Sequence, residues 1–212
     1  MPSPFFARAV LLLTSLSLMA CASDGSSRNT EAEQQAAHVQ RVVASGGVVD
    51  SIIPVQEALR RFREAVPRVD SLDQASPSAE ALVERLAAAL TTSDTAELNA
   101  MVLDRAEFAW LFYESSPLSR PPYEAPPALL WGQIRTSSDD GARTLLARLG
   151  GKPTRVTRLQ CGEVQVDGEN RLHGRCTAQF ATAGALALSG NLFGTIVERH
   201  GRFKFVGLGN RI

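Results

Sequence analysis

The stretch FGTIVERHGRFKF, residues 193–205, carries the pattern that decides the fold. Apolar and polar side chains alternate on both sides of His200-Gly201, and a period of two residues is typical of a half-buried strand. His200-Gly201 is itself a turn signal, so the stretch predicts an antiparallel hairpin. The alternating positions are Phe193, Thr195 and Val197 before the turn, and Phe203 and Phe205 after it.

The hairpin belongs to a longer series of predicted strands, with a second turn signal at Asp167-Gly168. The predicted strands are Thr154–Cys161, Glu163–Val166, Leu172–Thr182, Ala185–Glu198 and Phe203–Leu208. The residues before them have helical spacing, starting with an N-cap and proline at Ser76-Pro77. The predicted helices are Ala79–Thr91, Thr95–Val102, Arg105–Glu114, and one from Pro127 that either runs to about Leu149 or is capped again at 137–140. We therefore expect an α+β domain with N-terminal helices packed on a C-terminal curved antiparallel sheet of about four to five strands.

The order of these elements resembles a known superfamily. A helix, the break at Thr92–Leu98, a second helix and a run of long strands are similar to the nuclear-transport-factor-two-like, cystatin-like proteins. The resemblance covers residues 76–212 and implies one cone-like α+β domain, in which a curved sheet wraps a long helix and leaves a pocket. Because this superfamily contains both enzymes and binding modules, the resemblance alone fixes no function.

The N-terminal residues predict export and lipidation. Arg8 is followed by an apolar stretch of signal-peptide length, shorter than the ~20 residues that span a bilayer, and this stretch ends in Leu18-Met19-Ala20-Cys21. The tetrapeptide resembles the lipobox of bacterial lipoproteins. The resemblance implies that residues 1–20 are a signal peptide and that Cys21 carries fatty acyl chains, palmitate among them, which hold the protein on a membrane. The alternative is an ordinary secretory signal with an accidental cysteine.

The same resemblance implies a location in the cell envelope. Position 22 is Ala and not Asp, which by the sorting habits of lipoproteins implies the outer membrane, facing the periplasm, if the host has two membranes. Residues 21–47 are then the lipidated cysteine and a polar tether, predicted to be flexible.

Residues 48–75 are predicted to form an amphipathic helix and a polar linker. Val55, Ala58, Leu59, Phe62 and Val66 would share its apolar face. The helix either packs on the domain or places its arginines, Arg60, Arg61 and Arg63, against anionic lipid headgroups. Glu57 and Glu64 dilute the positive charge, so packing on the domain is the favoured interpretation.

Composition narrows the choice of partners. The chain has 212 residues, 44% of them hydrophobic, with 22 basic and 22 acidic side chains. This balance argues against a nucleic-acid partner, because neutralising phosphates needs clustered lysine and arginine. The expected partners are the membrane, through the lipid anchor, and an envelope protein or small ligand.

Cys161 and Cys176 are the remaining cysteines. They lie on neighbouring predicted strands, and an exported pair usually forms a disulfide, so we predict a Cys161–Cys176 bond. A metal site with His173 would need further ligands, and a catalytic thiol is the other alternative.

The motif search assigns no catalytic residue, metal ligand or cofactor. One aromatic group could nevertheless form a ligand cleft, with Asp104 and Arg120 paired at its rim. Its residues are Glu107, Trp110, Tyr113, Arg120, Tyr123 and Trp131. The alternative is that these aromatic side chains are core, as aromatics at helical spacing usually are.

Two functions are consistent with this sequence. The first is a membrane-anchored envelope lipoprotein whose domain binds a ligand or partner without catalysis. The second is an enzyme, a hydrolase or isomerase of the cone-shaped kind, that would use a pocket carboxylate such as Glu107 for acid–base chemistry. The anchor and the lack of a catalytic set favour the first.

Overall fold

The computed structural model describes residues 53–209 except Gly184, and parts of 33–46. The chain divides into two compact units, Met1–Ile52 and Ile53–Ile212. In the first unit the described positions between 33 and 44 are helical, where the sequence analysis predicted a flexible tether. This stretch is rich in Ala, Glu and Gln, which are strong helix formers. The lipobox and Cys21 lie outside the described residues.

Five α-helices occur in the described part of the second unit. They are α1 (Val55–Glu64), α2 (Ala79–Thr92), α3 (Thr95–Ala100), α4 (Arg105–Glu107) and α5 (Pro127–Leu149). After α4 the chain continues as a π-helical turn, Phe108–Phe112, and two 3₁₀ turns, Tyr113–Ser115 and Pro117–Ser119. The predicted alternative of a second cap at 137–140 is wrong, because α5 runs to Leu149 without interruption.

Capping side chains fix where these helices begin. Asp94 and Asp104 accept hydrogen bonds from the third residue of α3 and α4, as their sequence spacing predicts. The N-cap of α2 is Ser78 and not the expected Ser76. Ser76 instead exchanges two backbone hydrogen bonds, of 3.0 and 2.9 Å, with Phe203.

In the described part of the chain seven strands follow the helices, so the predicted α+β class is confirmed. They are β1 (Thr154–Gln160), β2 (Val164–Asp167), β3 (Asn170–His173), β4 (Thr177–Thr182), β5 (Ala185–Gly190), β6 (Ile196–Arg199) and β7 (Arg202–Phe205). They form two antiparallel sheets, β1-β4-β5 and β2-β3-β6-β7, where the sequence analysis expected one curved sheet of four to five strands. The predicted hairpin at His200-Gly201 is present, and both residues have positive φ.

Two short segments, 161–163 and 174–176, link the two sheets, and each bends from one sheet into the other. Gln160 faces Thr177 in the first sheet, and Val164 faces His173 in the second. Stepping one residue along this register places Cys161 opposite Cys176, so β1–β4 and β2–β3 belong to one long hairpin that is interrupted at a corner. The predicted strand Leu172–Thr182 is therefore two strands, because it turns that corner.

The helices cover these sheets with two hydrophobic clusters. One joins α2 and the C-terminal half of α5 to the three-stranded sheet, and includes Leu86, Phe180 and Phe205. The other joins α1, the π-helical turn and the N-terminal half of α5, and includes Phe62 and Phe108. Helix α1 thus packs through its apolar face, as the favoured interpretation of that helix predicts.

Candidate functional site

Glu107, the carboxylate nominated for acid–base chemistry, is fully engaged in the core. Its side chain is 1% exposed, and Lys204, which is 4% exposed, places its Nζ 2.8 and 3.1 Å from the two carboxylate oxygens. The backbone N–H groups of Asp73 and Asp104 donate to the same two oxygens at 2.7 and 2.8 Å. Each oxygen therefore accepts two hydrogen bonds, and the carboxylate ties α4 to the preceding linker and to β7.

Tyr113 and Trp131 belong to the aromatic core around Phe108. The ring centroids lie 5.8 and 5.3 Å from that of Phe108. Tyr113 is buried and its hydroxyl donates to the carbonyl oxygen of Ala125 at 2.7 Å. Burial raises the pKa of Tyr113 above its usual value. For these two residues the structure agrees with the alternative in which the aromatics are core.

Arg120 and Tyr123 lie on the surface of the proline-rich loop. Tyr123 is 66% exposed. The guanidinium of Arg120 donates to the Glu114 carbonyl oxygen and pairs with Asp167 in β2. The expected Asp104–Arg120 pair is therefore wrong, because Asp104 caps α4 while the register of β2 brings Asp167 to the loop.

Trp110 packs, like Trp131, against the second hydrophobic cluster, and it lies on the side of α1. The guanidinium carbons of Arg63 and Arg68 lie 4.8 and 5.4 Å from its ring centroid, within the range of cation–π contacts. Four of the six nominated residues therefore lie in the core or pack against it, and Arg120 and Tyr123 lie on the loop surface.

The cysteines form the predicted disulfide, with Cα atoms 3.9 Å apart. His173, the metal ligand of the alternative interpretation, has its Nε2 2.8 Å from Glu198 Oε2. Within the described part of the chain, no group of three or more His, Cys, Asp or Glu side chains could hold a metal ion.

A cavity of about 510 Å³ lies between α5, the end of β5 and the C-terminal segment. Its volume falls within the usual range of small-ligand sites. Four leucines give it an apolar lining: Leu145, Leu188, Leu192 and Leu208. The polar residues that line it are Ser137, Asp140, Arg143, Thr144, Arg148 and Asn191. We call this space the α5 pocket.

Close backbone packing fixes one wall of the α5 pocket. A Cβ atom on Gly141 would overlap the Leu208 carbonyl, and one on Gly209 would overlap the Ser137 carbonyl. The Leu208 N–H donates to Ser138 Oγ at 3.1 Å. The C-terminal segment is therefore held directly against the helix backbone, which sets the shape of the pocket independently of any ligand.

The charged groups of the α5 pocket are unevenly paired. Arg143 pairs with Asp140 through an exposed helical contact. The Arg148 guanidinium has no ion-pair or hydrogen-bond partner among the described residues. The described residues of the lining include two arginines and one aspartate, so this part of the lining carries a net positive charge.

These pocket residues are not among those predicted from the sequence. The sequence feature that points to the pocket is Gly141, which lies on the buried face of α5 between Ser138 and Leu145. A glycine at a core position of a helix indicates a close backbone approach. Gly207-Leu208-Gly209 is the segment that makes this approach.

No protein-family model, curated protein or solved structure matches this chain. Among the described residues, no helix is both long and apolar enough to cross a bilayer.

Proposed function

We propose that this protein is exported, lipidated on Cys21 and held on a membrane of the cell envelope. The observation that carries the proposal is the apolar N-terminal stretch ending in Leu18-Met19-Ala20-Cys21. The Cys161–Cys176 disulfide supports it independently, since such bonds form and persist in oxidising compartments outside the cytosol. In a host with two membranes, Ala22 favours the outer membrane facing the periplasm.

We further propose that the folded domain acts by binding and not by catalysis. The enzyme alternative depended on a pocket carboxylate, and Glu107 was its candidate. All four hydrogen bonds to that carboxylate come from the protein itself, and the side chain is 1% exposed. A base in this state has no access to a substrate proton. The α5 pocket has the volume of a small-ligand site, and four leucines and six polar residues line it.

Metabolic labelling with palmitate tests the anchor. The full chain expressed in a bacterium should incorporate the label and should stay with the membranes through a high-salt and alkaline wash. Cys21→Ser should abolish both. The double variant Cys161→Ser/Cys176→Ser is the matched control, since it removes the other two cysteines and should keep the label. Absence of label from the wild-type chain, or its persistence in Cys21→Ser, would contradict the proposal.

A further inference from the structure

We propose that the α5 pocket binds an anionic amphiphile, that is, an alkyl chain bearing a carboxylate or phosphate head. The inference rests on the proposed function, in which the domain is a binding module held near a membrane. The class of ligand follows from the residues that line the pocket. The two features that select this class are the leucine lining and the arginine pair at 143 and 148.

The four leucines of the α5 pocket favour an alkyl chain as the apolar part of the ligand. Leu145 and Leu208 are 2% exposed and belong to the core, whereas Leu188 and Leu192 are half-buried and pack against it. An alkyl chain in this space would remove the exposed parts of Leu188 and Leu192 from water, which is favourable in proportion to the apolar area covered.

Arg148 favours an anionic head group on the ligand. This residue lies in the last turn of α5, where the helix dipole favours a cation. Its side chain is exposed, and its guanidinium has no hydrogen-bond or ion-pair partner in the described part of the chain, so its donors are free to bind the oxygens of a carboxylate or phosphate. Arg143, five residues earlier, lines the same cavity and pairs with Asp140 through an exposed contact.

Photoaffinity labelling tests the inference on the full lipidated chain in neutral phosphatidylcholine vesicles. Three probes share one diazirine-bearing alkyl chain and differ in the head: a carboxylate, a phosphate or an uncharged alcohol. Mass spectrometry of the peptides should place the label of one or both anionic probes on residues 188–192 or 141–148. The alcohol should label these peptides about tenfold less, because it lacks the charge-assisted bonds to arginine. Comparison of the two anionic probes identifies the head group.

Two variants separate the pocket from general membrane labelling. Arg148→Gln should reduce pocket labelling about tenfold. Thr144→Glu should do the same without removing the arginine, because the new carboxylate lies four residues before Arg148, the spacing of a helical ion pair. Position 144 is exposed and glutamate is a good helix former, so this variant should fold. Arg158→Gln, on an exposed position of β1 outside the pocket, is the matched control and should label like the wild type.

Equal labelling of the pocket by the alcohol, or unchanged labelling in both Arg148→Gln and Thr144→Glu, would overturn the inference. Absence of pocket labelling by every probe would overturn it as well. These failures are distinguishable from failure of the anchor, which is read separately by palmitate incorporation into Cys21. A lipidated protein with an unlabelled pocket contradicts only the ligand, and a pocket labelled in a protein without lipid contradicts only the anchor.

Discussion

At the scale of single residues, the Glu107–Lys204 pair holds together parts of the chain that are distant in sequence. Both side chains are buried, and the four hydrogen bonds to the carboxylate offset the loss of its hydration. Removing one partner of a buried pair leaves the other charge without compensation, which is strongly destabilising. The pair therefore has a structural role, and its loss should lower the stability of the folded domain.

Lys204→Met is expected to lower the free energy of unfolding by ~3–5 kcal/mol, because Glu107 then remains buried without its cation. Urea unfolding followed by circular dichroism measures the loss. Lys152→Met is the control: it removes an exposed lysine that donates one hydrogen bond to the Arg148 carbonyl oxygen, and it should lower stability by about 1 kcal/mol or less. Adding Glu107→Gln to Lys204→Met should cost less than the sum of the single changes, since the two residues interact directly. Strict additivity would show that they do not.

Glu57 on α1 is predicted to titrate far below its usual range. Hydrogen bonds from Arg60 and Arg61 lower its pKa from 4.5 to about 2. Since the pKa is depressed in the folded state, the stability that these contacts contribute is present above pH 4.5 and is lost as the pH falls through 2. Because the Glu57 side chain is partly exposed to solvent, which screens the ion pairs, we expect this contribution to be small.

An NMR titration of the carboxyl carbon checks this value. Replacing Arg60 and Arg61 by Gln should return the pKa of Glu57 toward 4.5. Arg63→Gln should leave it low, since Arg63 pairs with Glu114 instead. A Glu57 pKa near 4.5 in the wild-type protein would show that Arg60 and Arg61 do not lower it in solution.

At the scale of elements, the disulfide joins the two strands of the long hairpin at the corner between the sheets. Cys161 and Cys176 close a loop of 15 residues, for which the loop-entropy model gives a stabilisation of ~3 kcal/mol. Reduction of the wild-type chain, or the double change to Ser, should lower the free energy of unfolding by about this amount. The double Ser variant should not respond to reductant. Equal stability of the oxidised and reduced wild-type chain would contradict the prediction.

Two glycines of α5 provide a matched test of the packing between this helix and the C-terminal segment. Gly141→Ala should destabilise the protein by ~1–3 kcal/mol, because the new methyl group meets the Leu208 backbone, which cannot rotate away. Gly132→Ala meets nothing within 4 Å and should stabilise by ~0.5–1 kcal/mol through helix propensity. Thermal unfolding measures both. The same effect of both changes would show that the close approach at Gly141 does not occur.

The elements could be predicted where local signals agree, and were mispredicted where tertiary contacts decide. Caps at Asp94 and Asp104 and the turn at His200-Gly201 are local, so the sequence is sufficient for them. Helix Arg105–Glu114 was expected to be regular, but its π-helical turn buries Phe108 and Phe112 together in the core. The bend after His173 was also missed, since alternation continues through the corner and only the pairing of strands reveals it.

The same distinction explains why the candidate sites differ. The aromatic cleft was proposed because its residues are close in sequence, yet Tyr113 turns inward and Tyr123 outward. The α5 pocket joins residues from 137–148, 188–192 and 208–209. The fold brings these three distant stretches together. Gly141 is the sequence feature that indicates this approach.

At the scale of the whole molecule, the proposed function joins a lipid anchor to a disulfide-bonded domain that binds a ligand. The N-terminal sequence supports the proposed anchor, and the corner disulfide and the α5 pocket support the proposed domain. If the lipid is present, the domain works at a membrane surface, where amphiphilic ligands are concentrated. Under the proposed function, the position of the protein in the cell would depend on one covalent modification.

Mass spectrometry of the N-terminal peptide of the mature protein, purified from membranes, is the most direct test of that modification. The account predicts that the mature chain begins at Cys21 and carries a diacylglyceryl group on its sulfur. A mature chain that begins elsewhere, or that begins at Cys21 with an unmodified thiol, would contradict it.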